Sequence, residues 1–134
     1  MTELSSVLRP MVAKARQKLS AARRALDAGD WDDASSRAYY AAFHATCAVL
    51  RSHGLAYSSH GQTLGAFNRE CVQSGEFPRE TTRVLTRLFE DRQLADYEVL
   101  HSVGQEDAVR DVRDAAAFVE SCVRYLEARV GEPL

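Results

Sequence analysis

The sequence predicts an all-α fold: an up-and-down bundle of four main helices plus one short helix. Three observations predict it. Apolar residues recur at spacings of three and four along most of the chain, as on one-sided helices. No stretch of useful length alternates apolar and polar residues as a half-buried strand would. Glycine and proline fall at the breaks between periodic runs, at Gly29, Gly54, Gly75, Pro78 and Gly104. A chain of 134 residues, 46% hydrophobic, is large enough to bury one real core, so residues 1–134 are read as a single domain.

The first helix is expected over roughly residues 4–28. Leu4, Leu8, Met11, Val12, Ala15, Leu19, Ala22 and Leu26 form its apolar line. Ser5 or Ser6 is the expected cap, and Pro10 is tolerated only in a first turn. Gly29 ends this helix and Asp30 is the expected N-cap of the second, with Asp32 and Asp33 favouring its positive end. Helix two is expected from about Trp31 to Ser52. Its buried line of Ala34, Ala38, Ala41, Ala45 and Val49 is small enough to admit a close neighbour, within one chain or across two. Residues 55–59 read as a loop. A short helix follows from His60 to about Val72, with Leu64, Phe67 and Cys71 inward. Helix four is expected to start near Thr81 or Thr82 and to run to Tyr97 or as far as His101. Val84, Leu85, Leu88, Phe89 and Ala95 mark its apolar side. Helix five covers roughly Glu106 to Arg129, with Ala108, Val112, Ala115, Val119, Cys122, Val123, Leu126 and Val130 at helical spacing. The turn at Ala25–Ala34 has the look of a tetratricopeptide hairpin, but nothing comparable recurs 34 residues on, so it reads as one hairpin and not a solenoid.

Composition excludes several classes. The formal net charge of −2 gives no overall basic signal for nucleic acid, although a local patch stays open. Cys47, Cys71 and Cys122 are odd in number and widely spaced, which reads as reduced thiols in a cytoplasmic protein. No signal peptide precedes the first amphipathic run and no stretch reaches membrane-spanning length, so no membrane role is expected. Metal-ligand spacings, nucleotide-binding glycine loops and a serine-type triad have no signal, and no metal or cofactor is expected.

Two polar groups carry the functional information. On helix two, Arg37 and His44 are seven residues apart and differ in direction by only about 20°. Tyr40 lies within a turn of both. On helix four, Arg92 follows Leu85 and Leu88 at seven and four, so it sits beside the apolar line, and Asp96 is one turn further on. Two readings of Arg92 and Asp96 stand: a structural ion-pair clamp tied to Tyr39 or Tyr40, or an electropositive pocket in which Arg37 and Arg92 hold a phosphate. His44 reads either as a packed histidine or as a general acid or base paired with Arg37. His60 reads as a helix cap or as a group facing the same pocket.

The run Ser36-Arg37-Ala38-Tyr39-Tyr40-Ala41-Ala42-Phe43-His44-Ala45, followed by His60-Gly61, Phe67-Asn68 and Arg92-Gln93-Leu94-Ala95-Asp96-Tyr97, resembles the HEPN domain (higher eukaryotes and prokaryotes nucleotide-binding). The likeness covers roughly Val12 to Leu126. It implies an up-and-down helical bundle, usually a homodimer, with functional residues facing the seam. It also implies a superfamily of metal-independent ribonucleases and toxins, many paired with a nucleotidyltransferase antitoxin. The ribonuclease members carry a late-helix arginine, four to six intervening residues, and then a histidine. None follows Arg92 at that spacing, and the one Arg-x6-His pair is Arg37 with His44. The expectation is therefore a nucleotide- or RNA-phosphate-binding or partner-docking module. Its ligand-binding residues would be Arg37, Tyr40, His44, Arg92, Asp96 and Tyr97. The alternative is a ribonuclease toxin with His44 and Arg37 catalytic.

Overall fold

The computed structural model describes residues 2–134. Five α-helices follow one another with no strand among the described residues: α1 Glu3–Asp27, α2 Trp31–Ser52, α3 His60–Phe67, α4 Glu80–Tyr97 and α5 Gln105–Val130. The second helix packs against α1, α4 and α5, so it forms the spine of the bundle. Ala34, Ala38, Ala41, Ala45 and Val49 are buried as expected. The helices α1, α4 and α5 of the same chain pack against α2 and cover it.

Two expectations at the start of α1 are corrected, its cap and the place of Pro10. Thr2, not Ser5 or Ser6, caps α1: its side chain accepts from the Ser5 N–H at 3.0 Å. Ser5 is buried inside the helix and donates to the Thr2 carbonyl at 2.9 Å. Pro10 consequently lies in the third turn, where its missing N–H omits one bond of the ladder. Asp30 occupies the N-cap of α2 but makes no capping bond with its side chain. Asp32, in the first turn, instead accepts the Val103 N–H at 2.7 Å and ties the α4–α5 connection to the start of α2.

The short helix is not uniform. After α3 the chain widens into a π-helical turn, Asn68–Val72, which keeps Phe67, Cys71 and Val72 in the core. Leu64 is only partly buried, and Thr63 and Ala66 take the inward positions. The fourth helix stops at Tyr97 and does not reach His101. Gly29 (φ 78°) and Gly131 (φ 75°) adopt left-handed backbone just after α1 and α5, a conformation that costs any residue with a Cβ.

Candidate functional site

Helix two turns 100° per residue, so the neighbours Ser36 and Arg37 point to different edges. One edge carries Ser36, Tyr40 and Phe43 toward α3 and α4. There the Ser36 hydroxyl donates to Asp96 Oδ2 at 3.2 Å. Arg92 Nη2 donates to the Tyr40 hydroxyl at 2.5 Å and lies 3.4 Å from that of Tyr97. The guanidinium carbon sits 5.6, 5.2 and 5.2 Å from the ring centres of Tyr39, Tyr40 and Tyr97. A cation enclosed by three aromatic faces is attracted to each ring's quadrupole.

Arg92 is only 11% exposed. Burial works against its charge, but the Tyr40 hydrogen bond and the nearby Tyr97 and Asp96 outweigh it and keep the guanidinium protonated. Its Nε lies 3.1 Å from Asp96 Oδ2, yet the N–H does not point along that line and is left without an aligned acceptor. The outer wall is thinner than the inner one, because Tyr97 is 65% exposed.

His60 joins this cluster from the start of α3. Its Nδ1 is 2.7 Å from the Tyr39 hydroxyl, and its ring stacks on Phe43 at 4.2 Å. Burial first, and the charge of Arg92 second, hold the imidazole below its ordinary range. Ser59, not His60, supplies the α3 cap. Burial also pushes the Tyr39 phenol well up, so it stays protonated.

Of the residues singled out in the sequence, Tyr40, Asp96 and Tyr97 gather around Arg92. Arg37 and His44 stand on the other edge of α2. Arg37 Nε pairs with Asp33 at 3.0 Å, and the side chain lines a shallow groove with Ala21, Arg24, Ala25 and Ala28. His44 meets Phe43 at 5.9 Å, and burial, then Lys14 and Lys18 of α1, lower its basicity. Arg37 is thus not one of the groups around Arg92. Ser36, Tyr39 and His60 are: Tyr39 and His60 stood among the sequence alternatives for this pocket, whereas Ser36 was not singled out. The signal for Ser36 was its one-turn spacing to Tyr40; that His60 faces the pocket and does not cap a helix is decided only by where the fold brings α3.

Among the described residues no group of three metal-ligating side chains converges, and no helix is long and apolar enough to cross a membrane. The three cysteines are unpaired.

A helical bundle with an arginine held in a tyrosine cage between its second and fourth helices defines a class of small helical domain with one built polar centre. The chain belongs to the HEPN domain family, whose sequence model matches residues 9–126. It is 32% identical to a "UPF0332 protein" of Thermotoga maritima over 95% of this chain and 96% of that one. Two Methanocaldococcus jannaschii proteins named "Putative toxin" are 25% and 26% identical over 89% and 93% of this chain, and the matches span 81% and 92% of those proteins.

Proposed function

We propose that this chain is a HEPN module that binds phosphate at Arg92, as part of a toxin–antitoxin-like pair with a nucleotidyltransferase and as a homodimer. One observation carries the phosphate reading: a guanidinium nine-tenths removed from solvent keeps an Nε donor unaligned behind an exposed Tyr97 and a carboxylate near the surface. Such a donor is costly to bury unpaired. A phosphate oxygen entering between Tyr97 and Asp96 would give it an aligned acceptor and a charge of the right sign. Tyr40 and His60 then orient the anion, and Asp96 acts as the counter-ion it displaces. The toxin-like role is supported by the names of the two Methanocaldococcus relatives.

The test is titration of the purified protein with labelled RNA and with mononucleotides. Arg92→Ala is expected to weaken binding at least about tenfold, the size of one charge-assisted hydrogen bond or more, with helicity retained. Unchanged affinity in that folded variant overturns the phosphate role.

A second reading, a metal-independent ribonuclease, is favoured by the imidazole of His60 beside the Arg92 cage. There His60 would move the proton of a 2′-hydroxyl attacking the adjacent phosphate, and Arg92 would stabilise the charge that develops. RNA cleavage in EDTA that disappears in His60→Ala and persists in His44→Ala is the result this reading expects.

A further inference from the structure

The charges of this chain are segregated. No aspartate or glutamate lies between Glu3 and Asp27 or between Asp33 and Glu70, so nearly all of α1 and α2 carries no acid. Those two stretches hold Arg9, Lys14, Arg16, Lys18, Arg23, Arg24, Arg37, Arg51 and Arg69, nine of the 17 basic residues. The net charge of −2 hides a basic half. Lys14, Lys18 and Arg51 make no ion pair among the described residues.

The antiparallel packing of α1 on α2 lines these cations up. At one end Ala21, Arg24 and Ala25 meet Arg37; at the other Met11 meets Cys47 and Arg51. Met11, Lys14, Lys18 and Ala21 follow at three and four on one edge of α1. Both lysines therefore fall between those two contacts, along the α2 edge that carries His44. Where the strip ends, Met11, Cys47, Leu55, Tyr57 and Arg51 enclose a mostly apolar groove of about 200 Å³. A cavity of ~150 Å³ holds benzene, so the groove has room for one planar heterocycle beside a cation. From Tyr40, at the Arg92 cage, to Arg51 is 11 residues of helix, about 16 Å, which no single phosphate spans.

We infer that the α1–α2 face binds single-stranded nucleic acid, with backbone phosphates on Lys14 and Lys18 and one base in the Met11–Cys47–Tyr57 groove beside Arg51. A row of cations that ends at an apolar groove with one exposed ring suits an unpaired strand, since phosphates meet the charges and a base can meet the ring. The inference rests on the phosphate reading of Arg92 only for the far end of the strand.

The test uses fluorescence anisotropy on the full chain with oligouridylate and oligothymidylate of about 12 nucleotides, a duplex of equal length, and uridine monophosphate, over a range of salt. The variants are Lys14→Gln/Lys18→Gln together, Tyr57→Ala and Arg92→Ala, each checked for helicity. Lys14 is exposed, Lys18 is half-buried and neither belongs to the core, so their loss leaves the core untouched. Removing them is expected to weaken single-strand binding at least about tenfold and to flatten the slope of log affinity against log salt by about 1.4, at ~0.7 per phosphate contact. Tyr57→Ala is expected to reduce the preference for single strand over duplex. Preference for RNA over DNA would identify which strand the face takes. Oligonucleotide affinity and salt slope unchanged in the double lysine variant overturn the inference, as does wild-type protein that binds no oligonucleotide. Equal affinity for the duplex overturns the base groove. If Arg92→Ala binds the strand normally while the lysine variant does not, the face stands and the Arg92 reading falls alone.

Discussion

Asp111 has no solvent exposure, and its carboxylate accepts from the Ser35 hydroxyl at 2.9 Å and from Arg87 Nε at 3.2 Å. Burial, and then the hydrogen bond and charge of Asp91 on α4, push its pKa up to about 7. The folded protein therefore keeps a proton that the unfolded chain releases near pH 4. Stability is expected to fall as pH rises from about 4 to about 7 and to level off above. Asp111→Asn carries the proton's equivalent permanently. It should remove that slope and raise stability at pH 7.5 by more than about 1 kcal/mol, because Arg87 retains Asp114 at 2.8 Å. Urea melts of both proteins across this range check it; parallel slopes count against a proton held on Asp111. At the Arg92 cage, Arg92→Lys is expected to behave like Arg92→Ala in binding, since an ammonium cannot reproduce the flat guanidinium among three rings. Arg92 and Asp96 were legible as a pair from their spacing. Which second arginine or histidine would join them was not, because Arg37 and Ser36 differ by 100° on a helix whose neighbours are unknown from sequence.

At the scale of the element, α2 decides most. Ala38 has no exposed surface and sits where other helices close on it. Ala38→Leu is expected to cost about 1–3 kcal/mol, because a full core has no room for three more carbons. Thermal unfolding should show it as a lower midpoint with the helical signal intact below the transition. Thr2→Ala is expected to cost about 1 kcal/mol, the worth of an N-cap, whereas Ser6→Ala should cost less. The alanine line of α2 and the long periodic runs of α1 and α5 were readable from spacing alone. The cap of α1 was not. Serine and threonine at positions 2, 5 and 6 all suit an N-cap, and only the packing that buries Ser5 selects Thr2. The π-helical turn after Phe67 was equally hidden, since one wide turn leaves no periodicity to count.

At the scale of the molecule, two surfaces stand out. One is the stretch of the α1–α2 face from Met11 to Ala21, which carries no acid on α1. The other is the connection after α4, where Val99 is 95% and Leu100 90% exposed beside Tyr97. The proposed homodimer has this apolar corner to cover, next to the Arg92 cage. Sedimentation of the wild-type chain is expected to give about twice 14.9 kDa at micromolar concentration. Leu100→Asp should shift it toward the monomer with helicity unchanged. A monomeric wild type would remove the homodimer from the proposal.

By itself the sequence determined the helical class, the five helices to within a few residues, the small-residue spine of α2 and the family likeness borne by its Arg-Ala-Tyr-Tyr and Arg-x-x-Ala-Asp-Tyr runs. These are local properties: a repeat of 3.6 residues and a short motif are written in consecutive residues. Only the tertiary structure decided that Arg92 is caged by tyrosines, that His60 and not His44 stands beside it, and that Lys14 and Lys18 lie along His44. Those relations depend on how helices distant in sequence are rotated and registered against one another. That rotation follows from packing over the whole core, and no single segment encodes it.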